Sequence, residues 1–270
     1  MNPVRKRELP FVLFKVAGGL YAVSSAFVRE ITQISQVTCI PQTAPEIRGV
    51  ITLRGKVIKL VDLRLKLGLR PLRAELDELV QLLKDREQDH RNWLTELEAC
   101  VREHRPFKLA RDPHKCKFGL WYDEFKTQDR LLGMTLPAMD VPHKAIHAAA
   151  DLVLSRAEAG DINGAIALIE ARRNLELSGL IRLFEESRKV LVAEQHELAM
   201  VLSRGQQVVA VTADEVDSVE RIPEENLEDM PVALSGLNSD LRCRVAKRVK
   251  SGQTILLPSD DFLFSPGAMN

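Results

Sequence analysis

Along the first 70 residues, apolar positions come in short β-favouring runs separated by turn residues. Phe11–Val16 (FVLFKV) and Leu20–Val23 (LYAV) flank Ala17-Gly18-Gly19, a spacing that predicts a hairpin. Apolar–polar alternation continues around Val28 to Ile34, and Pro41 and Pro45 then keep the chain out of a helix interior. Val50, Ile51 and Leu53 precede Arg54-Gly55, and Val57, Ile58, Leu60 and Val61 follow it, which predicts a second hairpin turning on the glycine.

At Pro71 the period changes. Leu76, Leu79, Val80, Leu83, His90, Trp93, Leu94, Leu97 and Val101 recur at helical spacing, with Glu75, Asp77, Lys84, Asp85 and Glu87 on the other face. The stretch around Pro106 and Pro113 reads as irregular. A second helix is expected from about Pro142 to Ala159, and a third toward Ala193 behind Gly160-Asp161, with Asp161 as its N-cap. From about Leu198 the β pattern returns. AMVLS and QQVVAVTA flank Arg204-Gly205, and VDSVERI and QTILLP are further strands. Each β segment alone is small for a stable core. The economical reading is one β domain, residues 1–70 and 194–270, interrupted by a helical insertion over 71–193. Such an insertion costs little closure entropy when it leaves from a surface loop.

Charge sharpens this division. The chain has 270 residues and no net charge, with 38 basic and 38 acidic side chains. Residues 1–70 carry 12 basic against 4 acidic, residues 71–195 carry 19 against 22, and residues 196–270 carry 7 against 12. The two β segments are therefore oppositely charged, which favours their association. With 45% hydrophobic and 28% charged residues the chain is globular, not disordered. No apolar run approaches the roughly 18–20 residues of a membrane span, and no signal-peptide pattern is expected behind the basic N-terminus. Arg5, Lys6 and Arg7 read as a solvated arm. The scattered basic residues lack the aromatic platform of a single-strand nucleic-acid binder, so no nucleic-acid partner is expected. Four cysteines make no secreted disulfide framework, which points to a cytoplasmic chain with reduced thiols.

Those cysteines and six histidines carry the candidate chemistry. His90 faces the core of the first helix, where a lone histidine is usually a hydrogen-bonded core residue. His143 and His147 are four apart on one helical face, as metal-binding pairs are. Cys116, within CKFGLW, offers a soft sulfur. Two helices and one loop can bring three nitrogens and one sulfur into a tetrahedron. Spacing alone leaves rivals open: Cys100 and His104 are also four apart, and His114 lies beside Cys116. His90 and His104 cannot share an ion, since 14 residues of helix span about 21 Å.

His90-x-x-Trp93, Cys116-x-Phe118-Gly119-x-Trp121 and His143-x-x-x-His147 together resemble the chemoreceptor zinc-binding domain. That family implies a helical bundle, one zinc ion per chain on His90, Cys116, His143 and His147, a homodimer through the bundle, and sensing of zinc or oxidants through Cys116. Oxidation or alkylation of this one sulfur would loosen the site. FVLFKVAGGLYAV, the stretch from Val37 to Leu69 and QQVVAVTADEVDSVERI resemble the CheW-like domain. The combined resemblance implies an α+β fold: a CheW-like double β-barrel of two five-stranded subdomains, with an α-helical zinc-binding bundle inserted between them. It further implies a non-catalytic chemotaxis adaptor joining chemoreceptors to the histidine kinase CheA, with Arg54, Gly55, Val37 and Ile40 as partner-contact candidates. The plainer alternative is a scaffold in which zinc is only a structural staple. A zinc hydrolase would need an open ligand position and a base such as Asp123 or Glu124, and no HExxH, phosphate loop or Gly-x-Ser-x-Gly occurs.

Overall fold

Two left-handed residues, Ala17 (φ 49°) and Gly18 (φ 75°), turn β1 (Glu8–Val16) back onto β2 (Gly19–Ser24), so that Val16 faces Gly19. Such paired positive φ angles match the twist of the flanking strands. After β3 (Val28–Gln33), Arg54 (φ 49°) and Gly55 (φ 76°) repeat the device between β4 (Ile47–Leu53) and β5 (Lys56–Val61). The computed structural model describes residues 8–34, 36–127, 130–193, 197–230, 242–248 and 251–265. Arg5, Lys6 and Arg7 lie outside them.

The chain continues through α1 (Leu63–Lys66) into α2 (Leu72–Glu103), α3 (Lys117–Glu124), α4 (Arg130–Thr135), α5 (Asp140–Glu158), α6 (Ile162–Arg172) and α7 (Ser178–Ala193). It returns to β6 (Leu198–Arg204), β7 (Gln207–Ala213), β8 (Glu215–Pro223), β9 (Glu228–Asp229), β10 (Cys243–Lys247), β11 (Thr254–Pro258) and α8 (Asp260–Phe264). Two compact units result. Residues 1–75 and 195–270 form the β unit, and residues 76–194 form the helical unit.

The β unit has two sheets, in strand orders β8-β1-β2-β11-β10-β9 and β3-β6-β7-β5-β4. One therefore has five strands, and the other reaches six through the two-residue β9. The insertion does not fall between the sheets, because each sheet draws strands from both sides of it. Parallel pairings of β11 with β2 and of β7 with β5 make these joins, along with the antiparallel pairs β1–β8 and β3–β6. The continuous apolar run of β1 reflects burial on both faces. Val12, Phe14 and Val16 enter a core shared with Val61, Met200, Val211 and Phe262. Phe11 and Leu13 enter another with Leu20, Ala22, Ile255 and Leu257.

Among the described residues, ion pairs Lys15–Glu215, Arg48–Glu197 and Arg64–Asp214 join the first segment to the last, each with its cation on the first. Arg64 is 4% exposed. Its Nε and Nη2 donate to Asp214 at 2.9 and 2.7 Å, and its Nη1 donates to Glu75 at 2.7 Å. A buried guanidinium with such partners is strongly favoured in its charged form.

The core of the helical unit gathers Leu83, Leu94, Leu97, Phe118, Ile146, Val153, Ile169 and Phe184. Two sequence expectations need correcting here. The stretch after Pro113 is not irregular, since α3 forms there. The third helix is not continuous either: a π-helical turn, Arg173–Leu177, separates α6 from α7 and holds Arg173 near Glu98 and Glu170. Asp161 does cap α6, accepting from Gly164 N at 2.9 Å. Asp161→Ala is expected to lower the unfolding free energy of the helical unit by about 1 kcal/mol, measured by denaturant titration, with metal content unchanged. Among the described residues, no helix is long and apolar enough to cross a membrane.

Candidate metal centre

His90 lies in the middle of α2, where its Nδ1 donates to the Arg86 carbonyl at 2.7 Å and turns Nε2 inward. Cys116 is the N-cap of α3, and its sulfur accepts from Gly119 N at 3.2 Å. His143 and His147 lie one turn apart on α5. The donor atoms of these four residues are all within 4.8 Å of one another, and His143 Nε2 is 3.2 Å from Cys116 Sγ. The three imidazoles are buried and the thiol is partly exposed. Aromatic rings wall the cluster. Phe118 packs edge-on to His143 at 4.9 Å between centroids, and Trp93 lies 4.8 Å from His147 while its Nε1 donates to the Ala110 carbonyl.

The donors fit zinc. His90 Nε2 and both ring nitrogens of His147 are buried without a hydrogen bond, although the Ala110 and Arg111 carbonyls lie near His147. Such orphaned nitrogens are costly unless a ligand takes them. Burial lowers the pKa of His90, holds His143 down to about 3 and holds His147 down to about 4. The imidazoles are thus neutral at physiological pH, the form that ligates. Burial pushes the Cys116 thiol up, opposed by the amides of Gly119 and Phe118, so its proton must leave when a metal binds. Three nitrogens and one sulfur would fill the four positions of a tetrahedral zinc and leave none for water.

The rivals are engaged elsewhere. Cys100 Sγ lies 2.9 Å from Arg105 Nη1 and 3.5 Å from Glu96. His114 Nδ1 meets Asp123 at 2.9 Å, so neither that histidine nor that carboxylate joins the cluster. His104 ends the α2 region with φ 52°. In the β unit, Arg54 stands exposed on the β4–β5 turn with Nη2 3.0 Å from Glu30. Ile40 is exposed, whereas Val37 is half-buried against the core of Ile51, Ile58 and Leu60. Sequence reading missed Glu30, for which no local signal exists, and the helix that positions Cys116.

A family model described as CheW-like domain matches residues 10–90, and one described as chemoreceptor zinc-binding domain matches residues 90–154. The chain joins a CheW-like domain to a chemoreceptor zinc-binding domain. The second match contains all four clustered donors. The CheW-like match runs past the β unit into α2. "Chemotaxis protein CheW" of Bacillus subtilis is 41% identical over 58 residues, which is 22% of this chain and 37% of that protein. "Probable chemotaxis protein CheW" of Rhizobium etli is 35% identical over 65 residues, which is 24% of this chain and 41% of that protein. The chain thus spans about two-fifths of the length of these curated relatives. The crystal structure of scaffolding protein TtCheW from Thermoanaerobacter tengcongensis is 14% identical, with a TM-score of 0.45 over 98% of this chain and 93% of that one.

Proposed function

We propose that this protein is a non-catalytic, cytoplasmic chemotaxis adaptor that joins chemoreceptors to the histidine kinase CheA. In this reading residues 1–70 and 194–270 make one CheW-like domain, and residues 71–193 make the inserted zinc-binding domain. His90, Cys116, His143 and His147 hold one zinc ion per chain, and Cys116 makes the site responsive to zinc supply or to oxidants. The observation that carries the reading is the four-donor cluster on helices inserted into a β unit whose sheets span the insertion. Similarity to proteins named as chemotaxis protein CheW supports the chemotaxis role.

The deciding experiment is a pull-down of CheA and of a chemoreceptor, repeated with zinc-loaded, zinc-stripped and oxidant-treated protein. Capture that changes with zinc or with Cys116 oxidation supports sensing. Capture that never changes, together with lower stability after zinc removal, supports a structural staple, a reading favoured by the closed four-donor set. Homodimerisation through the helical unit belongs to the same proposal. Val141 and Leu152, both exposed on α5, supply apolar surface for it, and light scattering tests it.

Arg54, Gly55, Ile40 and the half-buried Val37 are proposed partner contacts. Arg54→Ala is expected to weaken capture of one partner roughly tenfold while shifting unfolding by less than about 1 kcal/mol, because its pair with Glu30 is exposed.

A further inference from the structure

A cleft of about 350 Å³ opens onto the metal cluster. His90, Cys116 and His147 line it, and so do Asp89, Lys115 and Lys117. Asp89 precedes His90 on α2, yet its carboxylate is directed to the Cys116 side: Oδ1 lies 3.8 Å from the ammonium of Lys117, the residue after Cys116. Oδ2 is buried and makes no hydrogen bond, although Arg86 Nε stands 3.3 Å away. A carboxylate oxygen with an unused lone pair, lining the same cleft as the cluster, belongs to the ligand types zinc accepts. Asp89 is not among the four clustered donors, so it does not ligate in this arrangement.

Building on the zinc reading, we propose that Asp89 is a standby ligand that takes the position of Cys116 when the sulfur is withdrawn. Two features support that role. Its Oδ2 makes no hydrogen bond and its ammonium partner stands 3.8 Å away, so no hydrogen bond breaks when it moves. The open side of the cluster also lies at Cys116, the one donor that is not fully buried. Loss of the thiolate then converts a three-nitrogen, one-sulfur site into a three-nitrogen, one-oxygen site instead of emptying it. The metal is kept while the tie to the start of α3 is released.

The test compares wild type, Asp89→Asn, Cys116→Ala and the double variant, by metal content and by zinc affinity in competition with a chromophoric chelator. Asp89→Asn alone should match wild type within about twofold. Cys116→Ala should still bind one zinc, about a hundredfold more weakly, and the double variant should lose about tenfold more. Cobalt substitution gives a second readout. Cys116→Ala should lose the thiolate charge-transfer band, and its visible absorption should differ from that of the double variant, where water instead of Asp89 completes the coordination. Cys116→Ser, which keeps a capping oxygen for α3, replaces Cys116→Ala if the latter fails to fold. A double variant equal to Cys116→Ala, or an Asp89→Asn effect as large in wild type as without the sulfur, overturns the standby role alone. A wild type that binds no zinc overturns the metal reading as well.

Discussion

His143→Ala is expected to abolish stoichiometric zinc retention. His143 Nε2 lies 3.2 Å from the sulfur, and its loss leaves three protein ligands and a hole where a buried ring stood. With free zinc a thousandfold above its dissociation constant, the wild-type helical unit gains about 4 kcal/mol from binding, and the variant forgoes that gain. Thermal unfolding followed with and without a chelator provides the measurement. Wild type should destabilise sharply on chelation and His143→Ala hardly at all, since there is little left to strip. His114→Ala, outside the cluster and paired with Asp123, should behave as wild type. Equal chelator sensitivity in wild type and His143→Ala would remove His143 from the ligand set.

Gly119→Ala should act on the site without touching a donor. A Cβ built on Gly119 would stand 1.8 Å from the Pro113 carbonyl oxygen and 3.0 Å from His114 Cα, both backbone atoms that no rotamer change can clear. Either the first turn of α3 moves or the Pro113–His114 turn does, and Cys116 lies between them with its sulfur on the Gly119 amide. The expected cost is about 1–3 kcal/mol of overpacking. Zinc affinity should fall by roughly 10–100-fold, as when a ligand loses its outer support. Gly179→Ala in α7, where an added Cβ meets nothing within 4 Å, should be neutral or slightly stabilising. If both glycine variants bind zinc like wild type, the close approach at Gly119 does not govern the site.

Much of this fold was legible because its signals are local. The positive-φ pairs at Ala17-Gly18 and Arg54-Gly55 showed as glycine turns between apolar runs, and α2 showed as an apolar stripe ending near Val101. The helix behind Cys116 was legible in principle: Phe118, Trp121, Tyr122 and Phe125 fall at helical spacing, but Pro106 and Pro113 drew the reading toward a loop. Strand β10 (CRVAK) went unnoticed because it lacks the continuous apolar run that marks the equally short β11, and helix α8 because five residues hold barely one helical turn. The division of strands between the sheets had no local signature at all. The pairings β2–β11 and β5–β7 join residues far apart in the chain, and only long-range packing decides them. At the metal cluster, spacing placed His143 and His147 together, while the choice of Cys116 over Cys100 came from family resemblance. The structure gives the physical counterpart of that choice, since Cys100 is committed to Arg105 and Glu96.

The place of β11 in its sheet has a consequence for synthesis on the ribosome. Thr254–Pro258 lies between β2 and β10, so until it emerges the sheet is split and one edge of β2 stays unpaired. At about 5–20 residues per second, the interval between making β2 and making β11 is roughly 12–50 seconds. The helical unit, complete by residue 194, can fold during that wait. The nascent chain thus carries a finished helical unit together with a β segment that still has an open strand edge, the state in which a holding chaperone, or a misplaced strand from a neighbouring chain, would find it.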